Sequence, residues 1–193
     1  MAGVAMLTAV SVILQYLDFP VPMLIPPFIK FDFSDLPALI GAYAYGPLAG
    51  VIIELIKNLI HCAITKSATV GELSNFLLGA AFAGTAGFIY KMNKTKKTAI
   101  VGGIIGAVIM GIVSILSNYW IVYPFYYKAY MPEEVVLSAY QAIMPAVKNV
   151  LQCLIIFNMP FTMVKGIACV LVSIPIYKPL TRVLKDPGRA NAE

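Results

Sequence analysis

The feature that most constrains this chain is a succession of long apolar runs, separated by short polar or proline-containing segments. Several of these runs are long enough to cross a lipid bilayer as a helix. Of the 193 residues, 60% are hydrophobic and 12% are charged, whereas soluble domains contain about 25% charged residues. Strands of an outer-membrane barrel would instead alternate over about ten residues. We therefore predict an all-α integral membrane protein in which residues 1–193 form a single transmembrane domain.

Six transmembrane helices are predicted from the positions of prolines, glycines and charged residues. The predicted spans are residues 2–17, 36–45, 48–64, 73–90, 98–122 and 158–180. They would form a compact bundle with a short second helix, for which Ser34 is the predicted N-cap and Pro37 lies in the first turn. Four prolines between positions 20 and 27 predict a first loop with extended backbone.

The segment before the sixth span is predicted to be irregular. Residues 119–144 are rich in aromatic and acidic side chains, and we expect a long connection whose Tyr and Trp side chains lie at the membrane interface. Pro160 is predicted to interrupt the last apolar run, so that an interfacial or re-entrant helix precedes span six.

Two groups of basic residues predict the orientation in the membrane. They are Lys91, Lys94, Lys96 and Lys97 between spans four and five, and Lys178, Arg182, Lys185 and Arg189 near the C terminus. Because basic residues favour the cytoplasmic side, we expect both termini, including the tail from about residue 181, in the cytoplasm of a multi-pass protein. The formal net charge of +5 is then explained by orientation, and no nucleic-acid partner is predicted.

The sequence argues against catalysis. It contains one histidine, His61, and has no zinc-protease motif, no phosphate-binding loop for ATP and no serine nucleophile elbow. The cysteines Cys62, Cys153 and Cys169 are isolated, so we interpret them as packing residues. We predict no enzyme activity, no catalytic residue, no metal site and no cofactor.

Lys165 is a cation within the last apolar run, where a charge costs at least about 2.5 kcal/mol. Thr162 lies three residues earlier on the same helix face, and Asn118 lies near the outer end of the fifth span at a similar depth. These groups could hydrogen-bond a polyol or a polar heterocycle. Alternatively, Lys165 could extend to the interface or pair with Glu54.

A second polar stripe occupies the third span, at the spacing i, i+3, i+4 and i+7. Its members are Glu54, Lys57, Asn58 and His61. One interpretation is an internal Glu54–Lys57 pair that neutralises itself against a neighbouring helix. The other is that Asn58 and His61 border a solute pocket.

Small residues provide two further candidate contacts. Asn75 and Gly79 share a face of the fourth span, which could either pack closely against another helix or contact a flat ligand. Ala5 and Ala9 give the first span a small-residue face that could dock a partner subunit.

Several motifs resemble those of the S components, the substrate-binding subunits of energy-coupling factor (ECF) vitamin importers. They are KFDFSDLPALIGAYAYGPLAG at residues 30–50, ELIKNLIH at 54–61 and GELSNFLLG at 71–79. SNYW at residues 117–120 and PFTMVKG at residues 160–166 are most similar to the riboflavin-specific members. The resemblance covers most of the chain, and the motifs follow one another in the family's order.

The resemblance implies a six-helix subunit in the cell membrane of a prokaryote that captures riboflavin, as substrate rather than cofactor, from outside. It also implies a membrane scaffold subunit and two cytoplasmic ATPases as partners, with Ala5 and Ala9 docking on the scaffold. Asn118, Thr162 and Lys165 fall on the family's flavin-contacting positions, although the family has Asn where this chain has Thr162.

The full set of candidate substrate-binding residues therefore combines the resemblance with the polar positions described above. It comprises Asn58, Asn75, Gly79, Asn118, Thr162 and Lys165. Two alternatives remain open at this point. The chain could be an S component for a different vitamin or precursor, or it could be an autonomous channel or secondary transporter.

Overall fold

The computed structural model describes residues 2–22, 24–26, 29–63, 69–129 and 132–185, with side chains as far as residue 176. This part of the chain is mostly helical. The helices are α1 (Ala2–Tyr16), α2 (Asp35–Tyr45), α3 (Pro47–Cys62), α4 (Val70–Met92), α5 (Lys96–Ser117), α6 (Tyr123–Ala129), α7 (Glu133–Gln141), α8 (Val150–Cys153) and α9 (Met159–Lys185). Two π-helical segments, Asn118–Val122 and Leu154–Asn158, join α5 to α6 and α8 to α9.

The helical membrane architecture is confirmed in its general form. Three continuous helical stretches are long and apolar enough to cross a membrane, namely Val70–Met92, Lys96–Ala129 and Val150–Ile176. The helix α1 is also apolar but shorter. The number of six spans remains a prediction, since α2 and α3 have only 11 and 16 residues.

The short helix α2 lies in the centre of the bundle, where it packs against α1, α3, α4 and α9. Apolar or small residues occupy nearly all of its circumference, and such a helix is stable only when it is surrounded by protein or lipid. Leu39 and Tyr43 of α2 share an apolar cluster with Phe82 of α4, Met110 of α5 and Val170 of α9. Because α2 is central, its N-terminal residues lie in the bundle interior.

Close packing of α3 against α2 depends on Gly50. A Cβ atom at this position would lie 2.8 Å from the Cβ of Ala42 and 2.9 Å from the carbonyl oxygen of Ala38. The tight Gly46–Pro47 junction, at which Gly46 has φ of 103°, therefore brings two helices together at backbone distance, as the sequence predicted.

The first loop contains a short antiparallel pair of strands, β1 (Phe19–Pro20) and β2 (Lys30–Phe31). Lys30 also forms an ion pair of 2.9 Å with Asp18 across this pair. The predicted extended backbone is thus present in the described part of the loop. Pro27, one of the four prolines used in that prediction, lies outside the described residues.

Ser34 occupies the predicted N-cap position of α2, but its side chain does not cap the helix. Ser34 has helical backbone angles and makes no side-chain capping hydrogen bond to α2. Its hydroxyl oxygen instead accepts a hydrogen bond of 3.0 Å from the Nζ atom of Lys57. A buried ammonium group must be hydrogen-bonded. The Ser34 hydroxyl therefore accepts from Lys57 and not from the first backbone N–H groups of α2.

The predicted irregular segment before span six is also wrong in its detail. The helix that begins at Lys96 continues to Ala129, and α7 follows within the region expected to be a connection. The last helix runs through Pro160 from Val150 to Lys185 instead of breaking there or ending near residue 180. Arg189, used to predict the orientation, lies outside the described residues.

Each π-helical segment ends directly before a residue that is followed by proline. Tyr123 donates its backbone N–H to the carbonyl of Asn118 and precedes Pro124, and Met159 donates to Leu154 and precedes Pro160. In a regular helix the proline ring would clash with the carbonyl four residues earlier. The wider π turn shifts the hydrogen-bond register and lets the helix continue.

A second apolar cluster lies where α6, α7 and the segment around α8 meet. It includes Tyr123, Val136, Tyr140, Val150 and Leu154. We call the two helices α6 and α7, which pack together in this cluster, the cap. Cys153 is buried in the same cluster and Cys169 in the central one, as expected for packing residues, whereas Cys62 is half-buried.

Candidate functional site

A cavity of about 780 Å³ lies at the end of the bundle that is opposite the basic loop between α4 and α5. Its size is within the usual range for small-molecule sites. The residues lining it are Gln15, Tyr16, Asp18, Ile29, Lys30, Asp32, His61, Gly71, Glu72, Ser74, Asn75, Leu78, Met110, Ser114, Asn118, Val122, Tyr123, Tyr126, Asn158, Phe161, Thr162 and Lys165. The cavity therefore combines aromatic and aliphatic surfaces with amides, hydroxyls and charged groups.

Four of the six candidate substrate-binding residues come together around this cavity. They are Asn75, Asn118, Thr162 and Lys165. Ser114 of α5 connects two of them, because its carbonyl oxygen accepts a hydrogen bond of 2.8 Å from Nδ2 of Asn118 and its hydroxyl lies 3.3 Å from Oγ1 of Thr162. Because a carbonyl can only accept, the Oδ1 atom of Asn118 is left as the acceptor of that side chain.

Lys165 forms ion pairs inside the protein, but with other carboxylates than the one that the sequence suggested. Its Nζ atom lies 3.0 Å from Oδ2 of Asp32 and 3.0 Å from Oδ2 of Asp35, and the residue is only 6% exposed. The suggested pairing with Glu54 and the suggested extension to the interface are therefore both wrong. An ammonium group has three N–H donors, and one of them donates to Oδ2 of Asp32, whereas the contact with Asp35 is an ion pair without hydrogen-bond geometry.

The internal Glu54–Lys57 pair is confirmed. Lys57 lies 2.6 Å from Oε2 of Glu54 and 2.9 Å from Oδ1 of Asp35, and all three side chains are fully buried. Asp35 thus bridges the two lysines, so that Lys165 of α9 and Lys57 of α3 are tied to the start of α2.

We call Asp32, Asp35, Glu54, Lys57 and Lys165 the charge cluster. When all five groups are ionised, it carries one net negative charge. The Oε1 atom of Glu54 is buried and has no hydrogen-bond partner among the described residues. Buried charges are costly unless they are paired, and here every group has a partner. Asp35 pairs with both lysines, Asp32 pairs with Lys165, and Glu54 pairs with Lys57.

Gly79 and Asn58 do not line the cavity in the described part of the chain. A Cβ atom at Gly79 would overlap the carboxyl group of Glu54, so this glycine makes room for the charge cluster. Asn58 donates through Nδ2 to the carbonyl of Glu54 at 2.8 Å and accepts from Nε2 of Gln15 at 3.4 Å. Gln15 itself lines the cavity, so Asn58 contacts the site through another side chain.

His61 lies at the cavity wall, where its Nδ1 atom is 3.0 Å from Oε1 of Glu72. Its ring also packs against Tyr16, with a centroid distance of 5.5 Å. Of the two residues predicted to border a solute pocket, His61 lines the cavity and Asn58 does not.

Sequence reasoning missed the carboxylates of Asp32 and Asp35 and the asparagine Asn158. Two acidic residues three positions apart beside a proline-rich loop are natural partners for buried lysines, and this spacing is visible in the sequence. Asn158 is an amide inside an apolar run, the same signal that drew attention to Lys165. Its Oδ1 atom accepts a hydrogen bond of 2.6 Å from the hydroxyl of Tyr140.

The outer face of α1 is apolar and exposed. Ala5 and Ala9 lie on this face beside Met6, Val10 and Ile13. The opposite face of the helix is buried and ends at Gln15 in the cavity wall. One helix therefore contacts both the cavity and the surroundings of the protein.

Residues 1–177 match the family model for the ECF transporter, substrate-specific component. The chain belongs to this family. As an ECF substrate-specific component with apolar helices it is a membrane protein, and its family works with a scaffold and an ATPase module. The family consists of transporter components rather than enzymes, which is consistent with the lack of catalytic motifs in the sequence.

Two curated relatives of this ECF substrate-specific component match along most of its length. It is 35% identical over 183 residues to the riboflavin transporter RibU of Staphylococcus aureus, covering 94% of this chain and 90% of the relative. It is 34% identical over 172 residues to the riboflavin transporter FmnP of Bacillus subtilis, covering 88% and 85%. The resemblance found in the motifs is thereby confirmed at the level of the family.

The fold is also similar to that of a solved structure described as "Structure and mechanism of the S component of a bacterial ECF transporter". The TM-score is 0.73 with 33% sequence identity, and the match covers 95% of this chain and 96% of the other. The general path of the helices is therefore that of an S component.

Proposed function

We propose that this chain is the riboflavin-binding subunit of an ECF-type importer, which captures the vitamin from outside and releases it inward when coupled to its partners. The observation that carries this proposal is the 35% identity, over nearly the whole of both chains, to a protein named as a riboflavin transporter. The cavity supports it, because a flavin needs both an apolar slot for a flat ring and polar groups for a polyol chain.

The lining of the cavity offers both kinds of surface. Leu78, Met110 and Phe161 provide apolar contacts for a ring system. The Oδ1 atom of Asn118 provides an acceptor, and Thr162 provides a hydroxyl that can donate or accept. Asn75 adds an amide from α4.

Lys165 has a defined part in this proposal. One of its three N–H donors is directed to Asp32, and Asp35 is a second ion-pair partner, so that a donor remains for a ligand oxygen at the cavity wall. The carboxylates balance its charge in the absence of ligand, so that a neutral vitamin can be bound without leaving an unpaired cation when it departs.

The membrane arrangement follows from the basic residues. The cavity is at the end of the bundle opposite the loop that carries Lys91 and Lys94, and the positive-inside tendency places that loop in the cytoplasm. The cavity then faces outward, and both termini lie inside a six-span protein of the prokaryotic cell membrane. The exposed face with Ala5 and Ala9 is available for the scaffold subunit, and two cytoplasmic ATPases would supply the energy.

Riboflavin binding to the purified protein tests the proposal. We expect quenching of riboflavin fluorescence and a flavin absorption band between about 350 and 500 nm in the isolated protein. Replacing Asn118 or Thr162 by Ala removes about one hydrogen bond and should weaken binding about fivefold to tenfold. Asn93→Ala, at the exposed end of α4, serves as the control.

Two results would contradict the proposal. One is the absence of riboflavin binding together with tight binding of another member of a vitamin panel. The other is uptake into liposomes by this chain alone, because an S component requires its scaffold and ATPases for transport.

A further inference from the structure

A buried chain of hydrogen bonds connects the cap to the wall of the cavity. The hydroxyls of Tyr123 in α6 and Tyr140 in α7 lie 2.6 Å apart. The Tyr140 hydroxyl in turn donates to Oδ1 of Asn158 at 2.6 Å. Tyr140 is fully buried, whereas Tyr123 and Asn158 both line the cavity. Tyr140, which does not line the cavity itself, is therefore hydrogen-bonded to a residue that does.

This contact defines how the amide of Asn158 is used. A carboxamide has one oxygen that accepts and one amino group that donates. Tyr140 engages the oxygen, and the Asn158 side chain also forms a hydrogen bond with Tyr123. The amino group has two N–H donors, so at least one of them remains for a further partner. Because Asn158 is only 3% exposed and lines the cavity, a ligand in the cavity is in a position to accept a hydrogen bond from that remaining N–H.

The position of Asn158 on its helix agrees with such a role. It precedes Thr162 by four residues and Lys165 by seven, so the three side chains follow one face. Across the cavity, Asn118 donates through Nδ2 to Ser114 and keeps its oxygen as an acceptor. The two asparagines thus present complementary groups, an acceptor from Asn118 and a donor from Asn158.

We propose that Asn158 donates a hydrogen bond through Nδ2 to a ring carbonyl oxygen of the bound ligand, and that Tyr140 is the positioning residue that fixes the amide in this orientation. The ligand class is a planar heterocycle that carries carbonyl oxygens, and the oxidised flavin ring belongs to it. The inference deepens the proposed function and rests on it.

The test compares Asn158→Ala and Tyr140→Phe with the wild-type protein in riboflavin binding. Asn158→Ala removes the donor and should weaken affinity about tenfold. Tyr140→Phe keeps the ring that packs against Phe157 and removes only the hydroxyl, so a loss of about threefold is expected. Matched controls are Asn93→Ala and Tyr119→Phe, both at exposed positions outside the cavity lining.

Infrared difference spectra of bound riboflavin separate a hydrogen bond to the ligand from a general structural effect. Loss of the Nδ2 donor should shift a ring carbonyl stretch to higher frequency in Asn158→Ala. Tyr140→Phe should shift the same band by a smaller amount. We expect the double variant to bind no more weakly than Asn158→Ala alone. A further loss would mean that Tyr140 acts through Tyr123, whose hydroxyl it also contacts, and would overturn its positioning role toward Asn158.

Unchanged carbonyl bands and affinities within twofold of wild type would overturn the inference while leaving riboflavin binding intact. If Asn158→Ala does not fold, the conservative Tyr140→Phe variant decides, and an unshifted carbonyl band in that protein overturns the positioning role. A wild-type protein that binds no riboflavin would refute the proposed function, and this inference with it.

Discussion

The charge cluster makes Lys165→Met the most informative single substitution. Among the described residues it removes the one ion-pair partner of Asp32, whose other oxygen accepts the backbone N–H of Ser34 at 2.8 Å. Asp35 loses one cation but keeps Lys57 at 2.9 Å. The net charge of the cluster changes from one to two negative charges at a largely buried position in the bundle.

The size of the effect follows from which carboxylate is left without a cation. Removing one partner of a buried ion pair costs about 3–5 kcal/mol. The Asp32 and Lys165 side chains remain 10% and 8% exposed, so we expect a loss near the lower end of that range. For a chain of this length, a loss of about 3 kcal/mol lowers the unfolding midpoint by roughly 6–12 °C.

Thermal unfolding in detergent measures this loss, and a second substitution tests its cause. Asp32→Asn in the Lys165→Met background removes the unpaired carboxylate but keeps an oxygen for the Ser34 N–H. We expect the double variant to recover at least about half of the lost stability. Lys128→Met, at an exposed position of α6, should leave the midpoint unchanged.

Two outcomes would refute this reasoning. A Lys165→Met midpoint within about 2 °C of wild type would mean that the ion pairs contribute little. A double variant that is no more stable than Lys165→Met would mean that Asp32 is not the group left unpaired. The rescued protein also isolates the ligand role of Lys165: stability should return, whereas riboflavin affinity should not.

Three further predictions concern other parts of the chain. Gly79→Ala should cost about 1–3 kcal/mol in unfolding free energy because its Cβ would overlap Glu54, whereas Gly84→Ala, whose nearest contact would be 3.4 Å, should be neutral or slightly stabilising. Ala9→Trp should abolish co-purification with the scaffold subunit but leave riboflavin binding unchanged, and retained assembly would contradict docking through this face. Burial and the neighbouring Tyr123 raise the pKa of Tyr140, so the folded protein holds this proton more tightly than the unfolded chain does. The free energy of unfolding should therefore fall above about pH 10 in the wild-type protein, and it should fall less in Tyr140→Phe. Chemical denaturation at a series of pH values measures this difference.

The features that the sequence predicted well are those defined by short spacing. The Glu54–Lys57 pair is a contact between residues three positions apart on one helix, and the tight junction of α2 and α3 follows from Gly46 and Pro47. The partners of Lys165 were not predictable in this way, because Asp32 is 133 residues away in the chain. A search for the nearest acidic residue within the apolar runs selects Glu54, whereas the folded chain brings the start of α2 into the interior.

Two prolines show why the rule that proline ends a helix does not hold in this chain. Pro124 and Pro160 were expected to accompany a connection and a helix break, because an α-helix in regular register cannot accept a proline without strain. In both places the strain is relieved one turn earlier by a π segment, which adds a residue to the turn and rotates the side chains that follow. The first segment begins at Asn118 and the second ends at Asn158, and both asparagines line the cavity. The prolines therefore affect ligand binding as well as helix continuity. A proline-to-alanine change would allow a regular α-helical register and would alter the direction of an asparagine side chain, although neither proline lines the cavity.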